Sequence, residues 1–148
     1  MEKPLLTIIK PETKTELPLP FADAGIRAGF PSPAQDYMQE VIDLNKELIK
    51  HPASTFFARV NGDSMIDANV HDGDLLVIDK DVDPAHGLMA VCYIDGEFTL
   101  KFIKKEDDCI WLMPANDKYK PIKVTPDNEF IVWGIVRYII HKPEQFNP

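Results

Sequence analysis

The sequence predicts a mainly β fold: a curled antiparallel β domain, preceded by a short helical segment and an extended N-terminal arm. Three observations carry that reading. From Thr55 onward the chain is a series of short apolar runs at close spacing. Turn pairs separate them, namely Asn61-Gly62, Asp72-Gly73, Asp95-Gly96 and Pro126-Asp127. No long helical pattern alternates with these runs, which argues against a parallel, doubly wound sheet.

The elements follow in order. Residues 1–31 carry Pro4, Pro11, Pro18, Pro20 and Pro31, with apolar runs at 5–9 and 17–21. This composition reads as an arm with one or two short strands lying on something larger; a solvated tail is the alternative. A helical segment is expected next. Ser32 is a good N-cap, Pro33 suits the first helical position and Gln35 completes a capping-box pattern. Tyr37, Met38, Val41 and Ile42 recur at helical spacing. Leu44, Leu48 and Ile49 continue the pattern after Asp43, a second candidate cap, and His51-Pro52 ends it. Strands are expected at 55–60, 74–79, 88–94, 97–104, 109–113, 122–124 and 130–141. The domain organisation is thus an arm over 1–31, then the helical segment and β domain over 32–148.

One hairpin can be written residue by residue. A two-residue Asp95-Gly96 loop pairs Ile94 with Glu97, Cys92 with Thr99, and Ala90 with Lys101. One face then carries Met89, Val91, Tyr93, Phe98, Leu100 and Phe102, and is expected to be the larger core face. The other sets Lys101 beside Ala90, Cys92 and Thr99, neighbours able to desolvate an amine.

Composition narrows the function. The net charge is −8, and there is no basic stripe to meet a phosphate backbone, so direct DNA binding is not expected. Cys92 and Cys109 lie in apolar runs and read as small buried residues in a reducing compartment rather than a disulfide. There is no CxxC or Cys/His cluster to suggest zinc, no acidic loop of EF-hand order and no glycine-rich phosphate loop. No metal or cofactor is expected. The opening residues hold no apolar run suited to a signal peptide, and nothing approaches a membrane span of about 20 apolar residues. A cytoplasmic protein with no membrane attachment is expected.

The chemistry-bearing candidates are Ser64, on the turn Gly62-Asp63-Ser64-Met65, and Lys101. A serine hydroxyl is a poor nucleophile until a base removes its proton, and lysine can replace histidine in that role. The amine must then be neutral, which burial against apolar neighbours favours. Lys101 suits this better than Lys104 and Lys105, which run into Glu106, Asp107 and Asp108. The turn itself can offer backbone N–H groups to a developing oxyanion, although Gly-Asp-Ser is also ordinary turn composition. His71 and His86 lie in polar loops with nothing to tie them to Ser64. Trp111 and Trp133 read as core.

Several segments together resemble the UmuD/MucA branch of the LexA-type self-cleaving proteins. Phe30-Pro31-Ser32-Pro33-Ala34, with Asp36-Tyr37, resembles the segment that follows that family's cleavage site. Ile42-Asp43-Leu44-Asn45, Gly62-Asp63-Ser64-Met65-Ile66-Asp67, Asp72-Gly73-Asp74-Leu75-Leu76 and Asp95-Gly96-Glu97-Phe98-Thr99 with Lys101 are similar in order and spacing. The resemblance implies a β domain of the LexA/UmuD C-terminal type. It implies Ser64 as nucleophile, Lys101 as general base, and backbone N–H groups of Ser64 and an adjacent residue, Met65 or Asp63, as oxyanion hole. Ala28-Gly29 would be the scissile pair; the UmuD branch often has Cys-Gly there, and LexA-like repressors Ala-Gly. It further implies a homodimer, a RecA filament on single-stranded DNA as the stimulus for cleavage, and a Y-family, UmuC-like polymerase as partner of the shortened form in the SOS response. At about 3.3 Å per extended residue, the stretch from Ala28 to Ser64 reaches well beyond a domain of this size.

Other readings are a cleavable LexA- or phage-type repressor, a non-catalytic polymerase-binding module, and a signal peptidase. The first needs a helix-turn-helix domain before the cleavage site, and the residues before Gly29 are proline-broken and not basic. The second does not explain why Ser64, Lys101 and Ala28-Gly29 occur together. The third shares the Ser/Lys pair but wants a membrane anchor.

Overall fold

The computed structural model describes residues 6–11, 16, 18–21 and 40–146. The chain forms two compact units, one of residues 1–11 with 53–148 and one of residues 12–52. The expected boundary at residue 31, the capping positions 32–35 and the Ala28-Gly29 pair lie outside the described residues.

The larger unit is an eight-stranded antiparallel sheet. Its strands are β1 (Leu6–Ile9), β4 (Thr55–Val60), β5 (Leu75–Asp79), β6 (Met89–Ile94), β7 (Glu97–Lys105), β8 (Ile110–Met113), β9 (Ile122–Val124) and β10 (Phe130–Ile140). They lie in the order β1-β4-β5-β10-β6-β7-β8-β9. The sheet curls far enough to bring β1 beside β7. The smaller unit pairs β2 (Pro18–Phe21) with β3 (Glu40–Asp43), followed by the helix α1 (Leu44–Leu48).

The hairpin β6–β7 has the expected register, from Ile94 opposite Glu97 to Ala90 opposite Lys101. Both loop residues take positive φ, 48° at Asp95 and 92° at Gly96, the backbone of a type I′ turn whose twist matches the flanking strands. Asp95 also anchors the start of β10: its carboxylate accepts the N–H of Glu129 at 2.9 Å and the amide of Asn128 at 2.6 Å. β10 then runs between β5 and β6, with register shifts after Val132 and Val136. At Gly134 a side chain would have no room, because an added Cβ would lie 2.5 Å from Ile78 Cγ2.

One expectation is corrected. Val41 and Ile42 are not helical: strand pairing with Pro20 and Leu19 holds them extended, as suits β-branched side chains. The helix starts only after Asp43, whose side chain caps it by accepting the Asn45 N–H at 3.0 Å. The hairpin face that carries Met89, Val91, Phe98, Leu100 and Phe102 packs on the larger of the two apolar clusters, as expected, with Val91 and Leu100 buried; the other face, with Ala90, Cys92, Thr99, Lys101 and Ile103, is buried as well. Both faces are covered by the curl of the sheet, and each packs its own apolar cluster.

Candidate active site

The site forms where the turn after β4 meets β7. Three features shape that turn. Gly62 takes φ of 113°, a region open to glycine. Its N–H is accepted by Asp72 Oδ1 at 2.8 Å. Val60, just before it, gives its N–H to Asp74 O and takes the Gly73 N–H, at 2.9 and 2.8 Å. The 71–74 turn that clamps the end of β4 is itself locked by the buried Asp74 carboxylate, which accepts the His71 N–H at 2.9 Å and meets His141 Nδ1 at 2.7 Å.

Behind the turn stands the segment after β8. Asn116 Nδ2 donates to Asp63 O at 2.8 Å, and the Ala115 N–H donates to Ser64 O at 3.0 Å. Tyr119 Oη donates to Asp63 Oδ1 at 2.7 Å, a bond that raises the phenol above its ordinary range. Two consecutive carbonyls are therefore held from one side. In a trans peptide the N–H points opposite to the C=O, so the N–H groups of Ser64 and Met65 face away from this segment. Among the described residues, no acceptor takes the N–H of Asp63, Ser64 or Met65. Met65 is buried and pins the turn into the core.

Lys101 comes from β7. It is only 5% exposed, and its Nζ lies 3.4 Å from Ser64 Oγ, 2.7 Å from Thr99 Oγ1 and 3.1 Å from Leu100 O. Burial lowers the amine below the ordinary lysine value of 10.5; Cys92 opposes this in part. That opposition requires a thiolate, and burial pushes the Cys92 thiol up to about 12. The thiol is therefore neutral where the lysine titrates, and desolvation acts on Lys101 nearly unopposed. Leu6, Val60, Asn61, Ser64, Met65 and Leu100 line a small pocket beside the hydroxyl.

Ser64 and Lys101 are thus brought together. His71 stacks on His141 at 4.5 Å and meets Asn69 Oδ1 at 2.8 Å; His86 Nδ1 accepts the Lys105 N–H at 2.9 Å. Among the described residues neither is bonded to Ser64. Both cysteines are free, but Cys109 is half-exposed rather than buried, its Sγ 3.5 Å from Glu106 Oε2. Trp133 packs against Phe56 and Phe98. No helix among the described residues is long and apolar enough to cross a membrane. Sequence reasoning set Thr99 beside Lys101 without assigning it a bond, and it missed Asn116, Tyr119 and Asp72. The period-2 spacing of Thr99 and Lys101 was available as a signal; the others are ordinary turn residues.

A curled antiparallel domain that presents a turn serine to a buried lysine, its amine lowered from the ordinary value by desolvation, has the architecture of a serine peptidase. The sequence pattern of the peptidase S24-like family matches residues 20–137, and the chain belongs to that family, on the UmuD/MucA branch of its LexA-type members. Protein MucA of Salmonella typhimurium is 41% identical over 122 residues, covering 81% of this chain and 82% of that protein. Protein SamA of the same species is 39% identical over 139 residues, covering 93% and 96%. The LexA repressor of Stenotrophomonas maltophilia is 37% identical over 110 residues, covering 74% of this chain and 52% of the repressor.

Proposed function

We propose that this protein is a self-cleaving Ser-Lys peptidase that cuts its own chain between Ala28 and Gly29. The observation that carries the reading is the 3.4 Å approach of Lys101 Nζ to Ser64 Oγ with the amine buried and shifted toward its neutral form. Neutral Lys101 takes the hydroxyl proton as Ser64 Oγ attacks the Ala28 carbonyl carbon. The oxyanion is received by the unclaimed N–H groups of the turn, those of Ser64 and of Met65 or Asp63. As the intermediate collapses, the Lys101 ammonium returns the proton to the Gly29 nitrogen, and the peptide bond breaks. Lys101, neutral again, then activates a water that hydrolyses the Ala28 ester on Ser64. The products are residues 1–28 and 29–148.

Family membership and the MucA and SamA relatives support a role in SOS mutagenesis. In that role a RecA filament on single-stranded DNA stimulates the cut. The shortened chain, a cytoplasmic homodimer, then serves as regulatory subunit of a Y-family translesion polymerase. The test is incubation of the purified chain with activated RecA, read on a size gel. The native chain yields the 29–148 product and Ser64→Ala does not; equal processing of Ser64→Ala with other proteases absent overturns the reading.

A further inference from the structure

We propose that the outer edge of β4 is a strand-acceptor site, filled by β1 in the intact chain and opened by processing to an extended segment of a partner protein. The proposal rests on the reading that the chain is cut between Ala28 and Gly29, since β1 lies upstream of that bond and β4 downstream.

β1 pairs with β4 from Leu6 opposite Val60 to Ile9 opposite Phe57. Val60 gives both backbone groups to the 73–74 turn on its other side, so by alternation Phe57 and Arg59 turn theirs toward β1. On the inner face Leu6, 6% exposed, covers Ala58, Val60, Met65 and Leu100, and Ile8 packs on the same cluster. Beyond the strand, Lys10 Nζ lies 3.2 Å from Thr55 O and 4.4 Å from the centre of the Phe56 ring. The site therefore reads an extended segment by backbone pairing, with an apolar side chain, a second one two residues on, and a cation two residues further. This is edge-strand addition with alternate side-chain pockets.

Four residues make a weak ladder. While the chain is continuous, linkage holds β1 in place at an effective concentration of about millimolar. After the cut, among the described residues, the upstream fragment is held by this ladder, by the side chains of Leu6, Ile8 and Lys10, and by β2 on β3. In β2, Pro18 and Pro20 have no N–H to donate. Dilution then removes the fragment and leaves Phe57 and Arg59 unpaired over an uncovered apolar strip. An open edge of this kind is a template for another strand.

The test uses the full-length chain with Ser64→Ala and a recognition site for an unrelated protease inserted between Ala28 and Gly29. It therefore gives an answer even where self-cleavage fails, and the two readings fall separately. Hydrogen exchange is followed in β4 before and after the cut, with and without a synthetic peptide of residues 5–11. Cutting and dilution should speed exchange at Phe57 and Arg59 by about tenfold or more. The peptide at about millimolar should restore protection, and a peptide carrying Leu6→Asp and Ile8→Asp should not. Unchanged exchange on cutting, acceleration that the native peptide does not reverse, or equal rescue by both peptides overturns the proposal. So does protection in the cut sample without peptide alongside a larger species on gel filtration, because a second copy of the chain then closes the edge.

Discussion

Thr99 and Lys101 project from the same face of β7, and the lysine amine sits closer to Thr99 Oγ1, at 2.7 Å, than to Ser64 Oγ, at 3.4 Å. The amine is thus held by the Thr99 hydroxyl while it remains within reach of the one proposed to react. In the proposed reaction, its neutral fraction sets how often it can accept the serine proton.

Unassisted self-cleavage should accordingly rise with pH from neutrality upward and level off below the ordinary lysine value, because burial lowers the Lys101 amine from 10.5. Gel densitometry across that range checks it. A flat profile would remove lysine as the base.

Thr99→Val keeps the shape of the side chain and deletes the acceptor. Cleavage should fall by about tenfold to a hundredfold through loss of amine placement. Stability should fall by only about 1 kcal/mol. Paired rate and urea-unfolding measurements separate the two effects, and an unchanged rate would show that Thr99 does not orient the amine.

Lys101→Met should change how stability depends on pH. The folded-state value of Lys101 lies below its unfolded value, so between the two the unfolded chain holds a proton that the folded chain lacks. Stability of the lysine protein therefore rises with pH through that window and stops rising above 10.5. The methionine variant lacks this rise. Urea unfolding of both in a Ser64→Ala background, at neutral pH and near the ordinary lysine value, should show the lysine form gaining on the methionine form; parallel curves would contradict the depressed amine.

Asn116→Ala removes the donor to Asp63 O, which holds the peptide whose N–H is that of Ser64. Cleavage should drop by about tenfold or more, while the pH at which the rate levels off stays put because Lys101 is untouched. A shift of that pH would mean that the substitution disturbs the lysine as well.

Gly134→Ala places a Cβ 2.5 Å from Ile78 Cγ2, on a strand packed between two others. It should cost about 1–3 kcal/mol by overpacking, read as a lowered denaturation midpoint with the slope unchanged.

Much of this was legible in the sequence because β strands declare themselves locally. Thr55–Val60 and Ile122–Val124 have the bounds that alternation and turn residues indicate. The register of β6 on β7 follows from the Asp95-Gly96 pair alone. Placing Lys101 next to Cys92 and Thr99 needed no more than that register. What stayed hidden depends on contacts between distant segments. Val41 and Ile42 fit a helix until a proline-bearing strand from β2 pairs with them. The burial of the smaller hairpin face comes from the curl of the sheet, which no local pattern encodes. Asn116 and Tyr119 look like loop residues until the loop is seen to lie against Asp63.

The last strand in the chain lies in the middle of the sheet. Among the described strands, β10 alone joins β1-β4-β5, which carries the Ser64 turn, to β6-β7-β8-β9, which carries Lys101. Ladder pairing between the half that holds Ser64 and the half that holds Lys101 is therefore complete only when Phe130–Ile140, the last of the described strands to be synthesised, is in place.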